Sequence, residues 1–98
     1  MAEQFSVVAG NATGARIGLA DELIIGRSTP GLGNLGGDGE ISRVHARVYR
    51  GQSGQLVIED LGSTNGTYVN GTRIAAPHPL SHGDQVRVGK TTMSFESA

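Results

Sequence analysis

Three short segments of this chain carry side chains able to recognise an anion: Gly26-Arg27, Ser42-Arg43-Val44-His45 and Thr64-Asn65-Gly66. Arg27 can offer a planar fork of charge-assisted N–H groups, Ser42 can donate its hydroxyl, and Arg43 can add a second cation. Asn65 brings amide donors and an acceptor together. Taken singly, each residue has a plainer role. A strand-end arginine is a solvated charge, and Ser, Thr or Asn in a loop shapes its own turn. The weight lies in the set.

Other chemistries fit the sequence less well. Ser42 and His45, with Asp60 or Asp84, supply the letters of a hydrolase triad, but a triad is defined by geometry. No nucleophile elbow surrounds Ser42. His45, His78 and His82 lack metal-ligand spacing, so no metal site is expected. Gly31-Leu32-Gly33-Asn34-Leu35-Gly36 matches the dinucleotide fingerprint in letters alone. That motif needs a strand running straight into the glycines and a helix behind them. Here Ser28-Thr29-Pro30 intervenes before it, and Gly37-Asp38-Gly39 stands where the helix should start. The run reads as a connection; no cofactor and no enzyme activity are expected.

The elements that must position these residues are short strands. Between Gly62 and Gly71, two Asn-Gly turns (Asn65-Gly66, Asn70-Gly71) enclose a three-residue strand. Asn70-Gly71 joins Tyr68-Val69 to Thr72-Arg73-Ile74 as a hairpin. Gly62-Ser63-Thr64-Asn65 reads as an irregular polar loop that the hairpin presents. Further strands are expected at Phe5–Ala9, Ala15–Leu19, Glu22–Ile25, Val44–Arg50, Gln55–Glu59, Gln85–Val88 and Thr91–Phe95, with a Pro-containing loop from Ala75 to Asp84. No window offers helical periodicity over the length a helix needs. The pattern predicts an all-β antiparallel β-sandwich of about ten to eleven short strands.

Composition agrees. Ninety-eight residues make one domain over 1–98, with a core near 5–96 and short flexible termini. Sixteen glycines imply many tight turns. A net charge of −1 argues against a nucleic-acid binder, which shows a basic face. Seven of the eight basic residues are arginine, which fits either genome composition or a need for planar, bidentate anion recognition. Cysteine is absent, Phe5–Val8 is too short for a signal core, and no run approaches a membrane span. A cytoplasmic, soluble domain without membrane contact is expected. The Asn-x-Thr triplets at Asn11, Asn65 and Asn70 then read as turn chemistry.

In this order and combination the three polar segments resemble the forkhead-associated (FHA) domain, a phosphothreonine-binding β-sandwich of the FHA/SMAD-like class. Glu59-Asp60-Leu61-Gly62-Ser63-Thr64-Asn65-Gly66-Thr67 carries most of the resemblance, which extends from Ile24-Ile25-Gly26-Arg27 to Val86-Arg87-Val88-Gly89. It implies binding loops clustered at one end of the sandwich. Arg27, Ser42, Arg43 and Thr64 are implied as phosphothreonine-binding residues, and Asn65 as a clamp on the peptide main chain. Gly26, His45 and Gly66 are implied to support the site, His45 by tying the Ser42 loop to the sheet. The implied protein is a monomeric, non-catalytic reader of a phosphothreonine-containing protein or peptide in Ser/Thr kinase signalling. The alternative is a phospho-independent interaction or self-association module. Gly33–Glu40 departs from the family pattern, since Leu35 is its only apolar side chain where a short alternating strand is usual.

Overall fold

The computed structural model describes residues 3–10, 12–28, 34 and 37–97. Asn11 and the glycine run from Gly31 to Gly36, Asn34 excepted, lie outside the described residues, as do the readings attached to them. Ten strands follow one another: β1 (Glu3–Ala9), β2 (Arg16–Leu19), β3 (Glu22–Ile25), β4 (Ala46–Arg50), β5 (Leu56–Asp60), β6 (Thr67–Val69), β7 (Thr72–Arg73), β8 (His78–Pro79), β9 (Gln85–Val88) and β10 (Thr91–Ser97). There is no helix among the described residues.

The strands form two antiparallel sheets. One has six strands in the order β2-β1-β10-β9-β6-β7, the other four in the order β3-β4-β5-β8. Alternate side chains of each strand point between the sheets, as the two-residue period requires. Phe5, Val7, Ile17, Val69, Val86, Val88, Met93 and Phe95 come from the first sheet; Ile25, Ala46, Val48, Leu56 and Ile58 come from the second. Phe5 and Phe95 sit directly opposite in register and meet edge to face, their ring centres 5.9 Å apart. The sandwich expected from the sequence is the one that forms.

Boundaries of β1, β2, β5, β7 and β10 shift by one or two residues from expectation, and two further differences have a clear physical cause. The strand expected from Val44 starts at Ala46, because Arg43 and Val44 bend outward and leave Val44 half exposed. The stretch Ala75–Asp84, expected as loop, contains β8, which pairs Ile58 with His78 and Val57 with Pro79. A two-residue strand ending in proline gives no alternating pattern, and proline is tolerated because β8 is an edge. Asn70 and Gly71 both adopt positive φ, 52° and 84°. Tyr68 then pairs with Arg73 and Val69 with Thr72 across the expected hairpin. In the Gly33–Glu40 region, Asn34 makes an isolated parallel bridge with Gly26, and residues from Gly37 to Glu40 are turns.

Candidate functional site

The ends of β3 and β5 and the starts of β4 and β6 lie at one end of the sandwich, and the loops between them are stitched together. The Arg27 N–H donates to the Ser42 carbonyl at 3.0 Å, and the Ser28 N–H to the Arg43 carbonyl at 3.2 Å. Arg27 Nε donates to the Ile41 carbonyl at 3.1 Å. These bonds hold the guanidinium stem beside the Ser42 loop. Its two terminal nitrogens have no partner among the described residues and are left for an acceptor.

The Thr64 N–H donates to Ser42 Oγ at 3.0 Å. Since Oγ is the acceptor there, the Ser42 hydroxyl keeps its own hydrogen to donate elsewhere. Asn65 Nδ2 donates to the Glu40 carbonyl at 2.9 Å. One N–H of the amide is therefore committed to orientation, leaving the Oδ1 acceptor and the second N–H outward. Arg43 and the Thr64 side chain are exposed, with no side-chain partner among the described residues. These hydrogen bonds bring the three loops together around a notch at this end of the sandwich, with Arg27, Arg43, Thr64 and Asn65 exposed and Ser42 half-buried.

His45 is fully buried beneath it. Its Nδ1 accepts the Ser42 N–H at 3.1 Å, and its Nε2 lies 2.9 Å from the Gly66 carbonyl. A nitrogen that accepts carries no proton, so Nε2 is the protonated one and donates to Gly66. The His45 main chain adds bonds to Ile25 and Leu61. This histidine thus ties two site loops to the sheet.

The serine, histidine and aspartates that supply the letters of a triad are arranged otherwise. His45 accepts from the Ser42 backbone, not its hydroxyl. Asp60 bonds to Ser63 and Thr67, and Asp84 to Asn70 and Ser81. Among the described residues, no three metal-ligating side chains cluster.

The sequence matches the FHA domain family over residues 23–89. The chain belongs to the FHA domain family. FhaB of Mycobacterium tuberculosis is 37% identical over 90 residues, covering 91% of this chain and 57% of FhaB. The FHA domain of Chlamydia trachomatis CT664 superimposes with a TM-score of 0.87 at 33% identity, over 100% of this chain and 99% of that one. An FHA domain solved in a structural and functional analysis of phosphothreonine-dependent FHA domain interactions gives a TM-score of 0.85 at 25% identity, over 100% and 98%. The chain thus spans 57% of FhaB's length, and 9% of longer mouse and human relatives.

Two aspartates brace the loops of this FHA domain, a role not expected from the sequence for either. Asp60 Oδ2 accepts the N–H groups of Gly62 and Ser63, both at 3.1 Å. Its Oδ1 accepts the hydroxyls of Ser63 and Thr67. Ser63 Oγ in turn accepts the Gly66 N–H at 2.9 Å. Burial pushes the Asp60 carboxyl up, but the Ser63 and Thr67 hydroxyls and the Ser63 N–H outweigh it and hold it below the ordinary aspartate value. The Asp60-x-x-Ser63 spacing, typical of a side chain closing its own turn, was the available signal.

Asp38 is buried behind the Ser42 loop. It accepts from the Glu40 N–H, the Lys90 N–H and the Thr91 hydroxyl at 3.0, 2.7 and 2.8 Å. Burial pushes its carboxyl up as well, and those hydrogen bonds bring it below the ordinary value. Asp38 anchors the residue whose carbonyl orients Asn65.

Proposed function

We propose that this domain is a non-catalytic module that reads phosphothreonine on a protein partner of a Ser/Thr kinase. One observation carries the reading. The Arg27 side chain is held against the Ser42 loop by the Ile41 carbonyl with its terminal nitrogens uncommitted among the described residues, and Ser42 Oγ, which accepts the Thr64 N–H, keeps its own hydrogen to donate. A phosphothreonine brings close to two negative charges and three acceptor oxygens. Arg27, Ser42, Arg43 and Thr64 bind that phosphate in this reading. Asn65, tethered to Glu40, contacts the peptide main chain with its remaining amide groups, and Gly26, His45 and Gly66 hold the loops. The FHA domain solved for phosphothreonine-dependent interactions supports the choice of ligand.

Each hydrogen bond to a charged group contributes roughly 1.5–3 kcal/mol, offset by desolvation of phosphate and arginine. A short peptide buries less than a standard interface, so affinity near 1 micromolar, about −8 kcal/mol, is expected. No helix among the described residues is long and apolar enough to cross a membrane. The proposal places the domain in the cytoplasm as a monomer, apart from nucleic acid and membrane.

The test is calorimetric titration with a threonine peptide in phosphorylated and unmodified forms, using the wild type and Arg27→Ala. Binding of the phosphorylated form alone, weakened at least about tenfold by the substitution, is expected from losing a charge-assisted contact. Equal affinity for both forms would overturn the reading in favour of phospho-independent interaction.

A further inference from the structure

The chain's net charge of −1 conceals an uneven use of its charges. All nine acidic side chains have partners within the molecule. Glu3, Asp21, Glu22, Glu40 and Glu59 are in ion pairs. Asp38, Asp60 and Asp84 hold turns, and Glu96 accepts from Gln4. Arg47, Arg50 and Lys90 take up the five acids in ion pairs. That leaves five arginines without an ion pair among the described residues. Arg27 and Arg43 belong to the notch, and Arg16 lies on the far edge strand β2. The remaining two, Arg73 and Arg87, flank one tyrosine.

Tyr68 pairs with Arg73 on one side and with Arg87 on the other, and Arg87 pairs in turn with Thr92. All four face outward from the six-stranded sheet, because Val69, Val86 and Val88, their neighbours in sequence on β6 and β9, point into the core. The Arg87 guanidinium lies 4.2 Å over the Tyr68 ring, which holds it in place without neutralising it. The acids closest to the row are committed elsewhere: Asp60 by its own loop, Glu59 by Arg47, and Asp84 by Asn70 and Ser81. Beside Arg87 a cavity of about 420 Å³ opens between Asn70, Gly71, Gln85 and Thr92.

This row is continuous with the notch. A methyl built on Gly66 would come within 2.6 Å of Arg73 Nε, so the Arg73 side chain lies directly on the loop that presents Asn65. We propose that Arg73, Tyr68 and Arg87 form a docking strip for an acidic segment of the same partner that carries the phosphothreonine. The proposal extends the reading of the notch and rests on it for the identity of the partner. Strands lie about 4.8 Å apart, so the two arginine backbones are separated by roughly 10 Å, the span of about three extended residues. Aspartates or glutamates in such a stretch meet cations that have no acidic partner among the described residues, Arg87 being held only by the Tyr68 ring and a long bond to the Gly89 carbonyl, while neutral or basic stretches gain nothing from them.

The first measurement is an amide NMR titration with an unphosphorylated peptide rich in aspartate, which does not depend on the notch. Shifts at Tyr68, Arg73, Arg87 and Thr92, lost in 1 M salt, are expected; no shifts there would overturn the strip. The second uses phosphothreonine peptides with neutral or acidic flanks in a fluorescence anisotropy assay. The acidic flank should tighten binding about fivefold, in line with two exposed charge pairs. Arg87→Gln touches no site loop and should remove that gain while leaving the neutral peptide's affinity unchanged; Arg73→Gln should also remove it. Persistence of the gain in both variants would overturn the proposal. Should neither phosphopeptide bind, the notch reading fails by itself, and the NMR titration still decides the strip.

Discussion

Nδ1 of His45 accepts the main-chain N–H of Ser42 at 3.1 Å, so the imidazole fixes where the serine stands and leaves the hydroxyl untouched. The other ring nitrogen reaches the Gly66 carbonyl at 2.9 Å, joining two loops that are distant in sequence. Replacing His45 with alanine empties a fully buried site and leaves an N–H and a carbonyl without their partner. We expect His45→Ala to lower unfolding free energy by about 2–4 kcal/mol, read from urea denaturation at pH 7, and to weaken phosphopeptide binding with it. A variant of wild-type stability would contradict the bridging role.

Arg27 and Ser42 should separate affinity from stability. The arginine is exposed and among the described residues its side chain makes one anchoring bond, to the Ile41 carbonyl. Arg27→Ala is therefore expected to change stability by less than about 0.5 kcal/mol, as surface substitutions do. Ser42 Oγ receives the Thr64 N–H, so Ser42→Ala removes a donor to phosphate and also orphans an amide. A loss of about 1 kcal/mol in stability is expected for it. Both should weaken phosphothreonine binding tenfold or more, and parallel denaturation and calorimetry on the two variants check the contrast.

The turn around Asp60 gives a pH signature. Its carboxyl titrates below the ordinary aspartate value in the folded protein, because hydroxyl and N–H donors favour the anion over the burial that opposes it. A depressed folded value means the contribution is fully present above the unfolded value, near 4, and is lost as pH falls through the folded one. Asp60→Asn should thus be less stable than the wild type at pH 7, by roughly 1–3 kcal/mol. The gap should narrow on acidification below about pH 4. Urea midpoints for both proteins across pH 2.5–7 test this; a gap independent of pH would assign the stabilisation elsewhere.

The parts of the fold that were legible in the sequence are those with local causes. Alternation in Phe5–Ala9 and Thr91–Phe95 and the Asn70-Gly71 turn are visible within a few residues, and they set the sheets and the hairpin. The strand β8 was not visible, because His78–Pro79 is too short to show a period and is defined by pairing with β5. The candidate residues of the three loops could be listed from their types and order. Their supports could not: Asp38 acts through Lys90 and Thr91, more than fifty positions away in the chain. Nothing near Asp38 in sequence distinguishes it from a loop aspartate.

That long-range support yields a last prediction, from two glycines. Gly66 and Gly89 both hold positive φ, 86° and 58°, so a side chain at either costs about 1–2 kcal/mol in backbone strain. Their surroundings differ. A methyl at Gly66 meets the end of the exposed Arg73 side chain, which can swing away. At Gly89 it would lie 2.8 Å from Ile41 Cγ1 and 2.9 Å from Asp38 Oδ1, both buried and neither free to yield. Gly89→Ala should therefore destabilise the domain by more than about 2 kcal/mol, and Gly66→Ala by less. The effect at Gly89 should also reach the ligand. Displacing Asp38 releases the Glu40 N–H, and with it the carbonyl that orients Asn65. Phosphopeptide affinity measured well below the melting temperature should then fall in Gly89→Ala, although residue 89 belongs to none of the three loops. Unaltered affinity there would break the chain from Asp38 through Glu40 to Asn65.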